Sequence, residues 1–326
     1  MARQQGASSS GLDEFVYVFD AVVENVAQVI QGKSDAVRLA LVCLAAEGHL
    51  LLEDVPGVGK TSLAKALARS FDLEWRRIQF TPDLLPSDVT GISVYDRGSA
   101  SFTFRPGAVF ANVVLGDEIN RASPKTQSAL LEAMEEHQVT VDSTTYRLPW
   151  PFLVIATQNP AEHVGTYPLP ESQLDRFLLR VALGYPDRGA EMSMLGRHGM
   201  AGTIADELPA VAGPDAVKVM VTLAAQVHVA PALMCYIVDL AASSRRHPAL
   251  SLGMSPRSAI ALMKAARALA ASRGREFVIP DDIKALIEPV LAHRLVLSAE
   301  AEMSAVTVKD VLSDILASVA VPSGRQ

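Results

Sequence analysis

The sequence predicts an α/β domain with a mainly parallel sheet flanked by helices, followed by an all-helical domain. Three observations lead to this fold class: strand-like runs of unbroken apolar character, a glycine-rich turn after the first of them, and the near disappearance of such runs after residue 187. Strands covered by helices on both faces are apolar throughout, whereas half-exposed strands alternate. The predicted strands are 49–53, 78–81, 111–117 and 152–157.

The composition is that of an ordinary globular protein. The chain has 326 residues, of which 49% are hydrophobic and 20% charged, enough for two domains with separate cores. The net charge of −7 disfavours a broad surface for a polyanion, so no direct contact with nucleic acid is expected. Cys43 and Cys235 each lie in an apolar stretch, and we expect both to be core residues in a reducing compartment.

The sequence also suggests a location for the protein and a division into domains. The first ten residues lack the apolar centre of a secretory signal, and no uncharged stretch reaches membrane-spanning length, so a cytoplasmic protein without a membrane span is predicted. We expect a flexible segment over 1–11, the α/β domain over 12–186 and a helical domain over 187–326. Residues 322–326 read as a frayed tail.

Helix signals fill the spaces between the strands. Apolar residues recur at spacings of three and four over 12–30, which predicts a helix that Gly32 ends. Further helices are predicted after Ser34, over 124–137, and at Ser255, which precedes Pro256 as an N-cap precedes the first helical position.

Residues 54–61, Asp-Val-Pro-Gly-Val-Gly-Lys-Thr, read as a phosphate-binding loop between a buried strand and a helix. Gly57 and Gly59 let the backbone approach an anion, so that several N–H groups point at one space. Lys60 would reach the outer phosphates, and the hydroxyl of Thr61 would help to hold Mg²⁺. The default ligand is therefore a nucleoside triphosphate. Asp54 stands where the usual pattern has glycine, so its carboxylate must point away or be hydrogen-bonded.

Two adjacent acids end the apolar strand before them. In a parallel sheet ligands lie beyond the carboxyl ends of the strands, so Asp117 would face the same crevice as the loop and hold Mg²⁺ through water. Glu118 would then polarise the attacking water. The alternative is that this pair caps the helix that follows, although Ser123 and Pro124 make a better start signal.

A polar residue also follows the strand at 152–157. Asn159 is the amide nearest the exit of this strand and would position water against the terminal phosphate. The alternative is a plain Asn-Pro turn. Between this strand and the preceding helix, residues 138–150 alternate in character and break at Asp142 and Ser143, which predicts a hairpin.

These residues carry a family resemblance: the sequence resembles AAA+ ATPases, and in detail the MoxR family. The resemblance extends over roughly residues 12–297 and rests on five segments: 104–107 (FRPG), 117–136 (DEINRASPKTQSALLEAMEE), 156–160 (ATQNP), 174–177 (LDRF) and 255–257 (SPR).

The resemblance implies roles for single residues. Lys60 and Thr61 match the Walker A residues, Asp117 and Glu118 the Walker B pair, Asn159 sensor 1, Arg176 the arginine finger that reaches a neighbouring subunit, and Arg257 sensor 2 on the lid. It also implies a nucleotide-binding set made up of Val29, Ile30, Gly32, Pro56, Gly57, Val58, Gly59, Lys60, Thr61 and Ser62, with the first three near the adenine base.

The resemblance further implies an assembly and a task. It implies a hexameric ring that uses ATP and Mg²⁺ to remodel, assemble or insert metal into a client protein, with a partner that carries a von Willebrand factor A domain. Residues 84–110 and 140–148 would approach the central pore, or would be surface hairpins without substrate contact. An alternative function is a nucleotide-dependent regulatory scaffold with little turnover.

Overall fold

The computed structural model describes residues 2–98, 100–159, 165–197 and 204–322. The strands are β1 Leu50–Glu53, β2 Trp75–Gln79, β3 Gly91–Asp96, β4 Ser101–Pro106, β5 Val113–Asp117, β6 Gln138–Val141, β7 Thr144–Arg147, β8 Leu153–Gln158, β9 Leu179–Val181, β10 Leu250–Leu252 and β11 Val296–Leu297. Of the predicted frayed tail, residues 323–326 lie outside the described residues.

Helices connect these strands and make up most of the second half. They are α1 Ala2–Ala27, α2 Ser34–Ala45, α3 Lys60–Ser70, α4 Pro86–Thr90, α5 Pro124–Glu136, α6 Glu171–Leu174, α7 Arg188–Arg197, α8 Ile204–Glu207, α9 Pro214–Gln226, α10 Pro231–Arg246, α11 Pro256–Ser272, α12 Pro280–Leu291, α13 Ala299–Met303 and α14 Val308–Ser318. A 3₁₀ turn covers Ile119–Arg121.

The central sheet is parallel, as predicted. Its five strands follow the order β2-β5-β8-β1-β9, and each neighbouring pair runs in the same direction. All five residues of β5 are buried. Helices cover both faces of the sheet, and this explains why its central strands are apolar throughout.

The position of β2 differs from the prediction, because this strand begins at Trp75 and ends at Gln79 rather than covering 78–81. β2 lies at the edge of the sheet, and Arg76 and Arg77 are exposed. An edge strand carries polar side chains that a search for apolar runs does not recognise.

Helix α1 begins at Ala2, so residues predicted to be a flexible segment over 1–11 are helical from Ala2 onward. No proline interrupts this stretch, and the helix packs against α2, α3, α9 and α11. A Cβ placed on Gly11 would lie 3.4 Å from Leu223 Cδ2, which shows that α1 approaches α9 closely. No helix among the described residues has the length and apolar character to cross a membrane.

The described part of the second half is helical, as predicted, apart from one short pair of strands. Strands β10 and β11 pair antiparallel, and the hydroxyl of Ser251 donates to the carbonyl oxygen of Leu297 at 2.9 Å. Strands of two and three residues are too short to show an alternating pattern. The division into domains at residue 186 remains a proposal, since one hydrophobic cluster takes in buried residues from both halves.

The predicted cap of α11 is confirmed. Ser255 precedes the helix, and its hydroxyl accepts a hydrogen bond from the backbone N–H of Ser258 at 3.0 Å. Pro256 occupies the first helical position. Because this cap fixes the start of α11, it also fixes the position of Arg257, the second residue of the helix.

Two hairpins project from the α/β part. The predicted hairpin consists of β6 and β7, and its turn residues Asp142 and Ser143 have φ angles of 48° and 67°. Strands β3 and β4 form a second hairpin. The rings of Phe104 and Tyr146 stack with centroids 3.9 Å apart, which joins the two hairpins.

The cysteines differ in environment. Cys43 is buried, as predicted, and burial raises the pKa of its thiol. Cys235 is exposed, so its assignment to the core was wrong. It lies on α10 beside Met234, which is also exposed, and Tyr236, which is buried. Apolar neighbours along an amphipathic helix do not imply burial, because only one face packs.

Candidate active site

The predicted phosphate loop, acids and amide come together at the carboxyl edge of the sheet. The loop follows β1, Asp117 ends β5, and Asn159 follows β8, which lies between those two strands. The last residues of β1 and β8, Glu53 and Gln158, are paired in the register, so the two strands end side by side. Asn159 is buried, with 7% of its surface exposed. Three segments distant in the chain therefore face one crevice.

The loop has the backbone that close approach of an anion requires. Gly57 and Gly59 have φ angles of 85° and 98°, in the left-handed region that favours glycine. Helix α3 begins at Lys60, so its N-terminus points to the loop. The ammonium of Lys60 donates to the carbonyl oxygen of Asp54 at 2.7 Å, which places it over the loop. Thr61 and Ser62 follow in the first turn of this helix.

The carboxylate of Asp54 is hydrogen-bonded, as its position at the start of the loop requires. Its carboxylate accepts hydrogen bonds from the backbone N–H of Val55 at 2.8 Å and of Gly184 at 2.6 Å. The side chain is buried, with 8% of the residue's surface exposed. The carboxylate ties the start of the loop to the segment after β9.

Asp117 is held from two sides. Oδ1 accepts a hydrogen bond from the hydroxyl of Thr157 at 2.6 Å. Oδ2 forms an ion pair with Arg77 at 2.6 Å. Thr157 is fully buried and also accepts from the backbone N–H of Glu118 at 2.9 Å. One hydroxyl thus orients both acidic residues.

Glu118 has an unusual backbone conformation, with a φ angle of 57°. Such a value outside glycine is strained and persists only where the surrounding structure holds it. Its Oε2 accepts from Gln79 Nε2 at 2.9 Å and pairs with Arg121 Nη1 at 3.0 Å. The carboxylate therefore has a defined position beside Asp117.

Sequence reasoning missed the residues that hold these acids: Arg77, Gln79, Arg121 and Thr157. Residues 77 and 79 point to the same face of a strand, because side chains alternate with a period of two. The error in the bounds of β2 concealed this signal. A correct strand would have placed Arg77 and Gln79 opposite Leu115 and Asp117, with which they are in register.

The residues predicted to lie near the base adjoin the loop. A Cβ placed on Gly59 would lie 3.2 Å from Ile30 Cδ1, so the side chain of Ile30 lies directly over this glycine. A Cβ on Gly32 would lie 3.0 Å from Asp187 Oδ2. Val29 and Val58 are partly buried against the same hydrophobic cluster. Pro56 lies in the loop itself, two residues before Val58.

The donor set fits Mg²⁺. The described residues contain no group of three or more His, Cys, Asp or Glu side chains that could hold a metal. Mg²⁺ in nucleotide sites takes one or two protein oxygens and completes its shell with water and phosphate. The hydroxyl of Thr61 and the carboxylate of Asp117 supply oxygens of this kind.

Arg176 and Arg257 lie elsewhere. Both line a cavity with His49, which precedes β1 at the amino edge of the sheet. The four residues of β1, at about 3.3 Å each, separate this edge from the loop. Arg176 Nη1 and Arg257 Nη1 both pair with Glu135, at 3.0 and 3.1 Å. The structure thus brings these two residues together and places them away from the loop of the same chain.

The buried imidazole of His49 supports this edge. Nδ1 accepts from the backbone N–H of Val154, and Nε2 donates to the carbonyl oxygen of Met134, each at 3.0 Å. Burial lowers the pKa of His49 to about 4. The ring is therefore neutral at pH 7 and connects the end of α5 to β8.

Comparison with protein families agrees with this architecture. Residues 49–179 match the model for the "ATPase family associated with various cellular activities (AAA)". Residues 242–315 match the model for an AAA lid domain. These two segments contain the loop, both acids, Asn159, Arg176 and Arg257.

Relatives extend the match over the whole chain. The uncharacterized protein YeaC of Bacillus subtilis (strain 168) is 48% identical over 303 residues, which is 93% of this chain and 94% of YeaC. Chaperone MoxR1 of Mycobacterium tuberculosis is 40% identical over 96% of this chain and 85% of its own length. A crystal structure of a candidate ATPase from Cytophaga hutchinsonii superimposes with a TM-score of 0.91 at 35% identity, covering 98% of this chain and 99% of that one. With the phosphate loop, the paired acids and the lid in place, the chain belongs to the MoxR family of AAA+ ATPases.

Proposed function

We propose that the chain hydrolyses ATP in the crevice at the carboxyl edge of the sheet. The observation that carries this proposal is the meeting of the phosphate loop, Asp117, Glu118 and Asn159 at that edge from three separate strands. The family supports ATPase chemistry in general. The arrangement of side chains supports the assignment of individual roles.

Each residue has one task in this proposal. The backbone N–H groups of the loop and Lys60 bind the phosphates, while Thr61 and Asp117 hold Mg²⁺. A Mg²⁺ ion held there would offset negative charge on the phosphate oxygens. Glu118 orients and deprotonates the attacking water, and Asn159 positions that water against the terminal phosphate.

We further propose that Arg176 and Arg257 act on the nucleotide of a neighbouring subunit. Both lie at the amino edge, away from the loop of their own chain, and both are partly exposed there, at 28% and 46% of their side chains. Guanidinium groups stabilise charge that develops on a transferring phosphoryl group. This arrangement requires a ring, for which we propose six subunits.

The task of the ring is to remodel or assemble a client protein in the cytoplasm. The name of the relative MoxR1 describes it as a chaperone, and the second, mostly helical half provides a lid that nucleotide turnover would move. A partner with a von Willebrand factor A domain and insertion of metal into the client remain part of this proposal. The hairpins β3–β4 and β6–β7 are the proposed contacts with the client.

Glu118→Gln tests the chemistry. The amide keeps the size of the side chain but cannot accept a proton, so we expect ATP to bind with unchanged affinity and turnover to fall by about 10²-fold or more. Glu302→Gln on α13, an exposed glutamate, is the matched control. Undiminished hydrolysis by Glu118→Gln would remove Glu118 from its role.

The assembly has a separate test. If the arginines act between subunits, the ATPase rate per subunit rises with protein concentration until the ring is complete. Steady-state hydrolysis over a hundredfold range of concentration, with mass measured in parallel, gives this dependence. A low rate that stays constant while the protein remains monomeric would favour the regulatory scaffold instead.

A further inference from the structure

Glu135 connects the two arginines at the amino edge. One carboxylate oxygen lies 3.0 Å from Arg176 Nη1 and the other 3.1 Å from Arg257 Nη1. The carboxylate is itself partly exposed, at 35% of the side chain. A single acidic side chain therefore sets the distance between two cations that come from different parts of the chain.

The ends of two helices give this contact an electrostatic reason. Glu135 lies in the last turn of α5, where the helix dipole disfavours an anion, and Arg257 lies in the first turn of α11, where it disfavours a cation. Pairing offsets both costs. Taken by themselves, the two guanidinium groups and this one carboxylate carry one net positive charge.

A buried network fixes the backbone beneath the arginines. Asp175 accepts from Arg294 at 2.8 Å and from the hydroxyl of Ser255 at 3.3 Å. Arg294 is 5% exposed and also donates to the carbonyl oxygen of Phe177 at 2.7 Å. The segment around Arg176 is thus tied to the start of α11, so only the ends of the two long side chains remain to be positioned.

Arg176 has a further contact that directs it. Its Nη1 donates to the carbonyl oxygen of Leu131 at 2.6 Å, one turn before Glu135 on α5. A guanidinium has five N–H donors, so contacts through Nη1 leave donors for a phosphate oxygen. The same helix therefore orients Arg176 twice, through a backbone carbonyl and through Glu135.

We propose that Glu135 is a positioning residue for ATP hydrolysis. It holds the guanidinium groups of Arg176 and Arg257 side by side, so that both meet the terminal phosphate bound by the neighbouring subunit. This inference rests on the proposed function of the two arginines in trans. Glu135 does not contact the nucleotide and acts on the reaction only through the arginines.

The test uses mixed rings in which the two sites are separated. Lys60→Ala removes nucleotide binding but keeps the arginines, whereas Arg176→Ala keeps nucleotide binding but lacks the finger. Mixing these two full-length variants restores hydrolysis if the arginine acts between subunits. Glu135→Gln is then added to one variant at a time, with Glu302→Gln at an exposed position of α13 as the control that removes the same charge.

We expect Glu135→Gln to lower the restored rate by about tenfold when the Lys60→Ala subunit carries it. Each arginine contacts a different carboxylate oxygen, and the amide replaces one of these oxygens by an NH2 group that cannot accept. The same change on the Arg176→Ala subunit is expected to have no effect, since the arginines of that subunit do not act. Glu302→Gln should leave the rate unchanged on either subunit. ATP affinity of the Arg176→Ala subunit should not change.

The other outcomes are distinct. Two results would overturn the positioning role of Glu135 while leaving the trans role of the arginines in place. In one, Glu135→Gln does not lower the restored rate; in the other, it lowers the rate equally whichever subunit carries it. Failure of the two parent variants to complement each other would overturn the proposed function and the inference with it. If Glu135→Gln does not fold, Glu135→Asp keeps the charge but shortens the side chain, and the same dependence on the carrying subunit is expected.

Discussion

At the scale of single residues, Asp54 shows how a departure from a motif is accommodated. A carboxylate beside a triphosphate would repel it, yet both oxygens of Asp54 are turned to backbone N–H groups, one in the loop and one at Gly184. Hydrogen bonds to an anionic acceptor are stronger than neutral ones. The residue therefore serves as a clamp between the loop and the segment that follows β9.

Asp54→Ala removes this clamp. Two partly buried backbone N–H groups lose their acceptor, so we expect the free energy of unfolding to fall by about 1–3 kcal/mol and ATP to bind more weakly. Urea denaturation and calorimetric titration with ATP measure the two effects. Asp215→Ala removes an acid whose side chain is 92% exposed and should change neither quantity. Equal ATP affinity in Asp54→Ala and wild type would contradict the clamp.

At the scale of secondary-structure elements, one aromatic contact joins the hairpin β3–β4 to the hairpin β6–β7. Phe104 of β4 stacks on Tyr146 of β7 with an interplanar angle of 15°. Phe104 also meets Phe110 edge to face at 5.5 Å. The aromatic contact therefore couples the inserted hairpin to the hairpin that precedes β8, and β8 leads directly to Asn159.

Tyr146→Ala tests this coupling. An aromatic pair of this kind contributes about 0.5–1.5 kcal/mol, so its loss should speed local opening and raise the amide exchange rate of β3 and β4 by about two- to tenfold. Hydrogen exchange with mass spectrometry measures it. Tyr185→Ala, at a side chain that is 73% exposed, is the control. Unchanged exchange in the hairpin would show that the elements open independently.

At the scale of the whole molecule, two buried histidines bind parts of the chain together. His49 joins the end of α5 to β8. His293 contacts the carbonyl oxygen of Phe177 at 2.9 Å, which links the end of α12 to the segment before β9. Burial is the main reason that the pKa of His49 falls to about 4 and that of His293 to about 3. Both rings are neutral in the folded protein at pH 7.

These pKa values predict that acid destabilises the fold. The unfolded chain protonates histidine near pH 6.5, whereas the folded chain does not do so until pH 3 to 4. The unfolded state thus binds more protons between these values, and stability falls as the pH drops below about 6.5, by up to about 1.4 kcal/mol per pH unit for each histidine.

Chemical denaturation at pH 7.5, 6.5 and 5.5 measures this dependence. His228→Gln replaces an exposed histidine and should leave the slope unchanged. Equal stability at pH 7.5 and 5.5 would contradict the assignment of both rings as neutral.

The sequence by itself determined the features that arise within a few residues. The phosphate loop, the cap at Ser255, the hairpin turn at Asp142 and the apolar strands of the sheet all depend on local backbone preference and on periodicity. Family resemblance added the roles of residues such as Arg176 and Arg257. Local signals failed for β2 and for Cys235, because an edge strand and the outer face of a helix carry mixed side chains.

Only the tertiary structure decided which distant side chains meet. The order of the strands places β8 between β1 and β5, and this allows Thr157 to orient Asp117. The fold brings Arg257 of α11 to Glu135 of α5, which also pairs with Arg176. Such pairs join segments far apart in the chain, so no periodicity marks them. They follow from packing because a buried or partly buried charge is stable only where the fold supplies a partner.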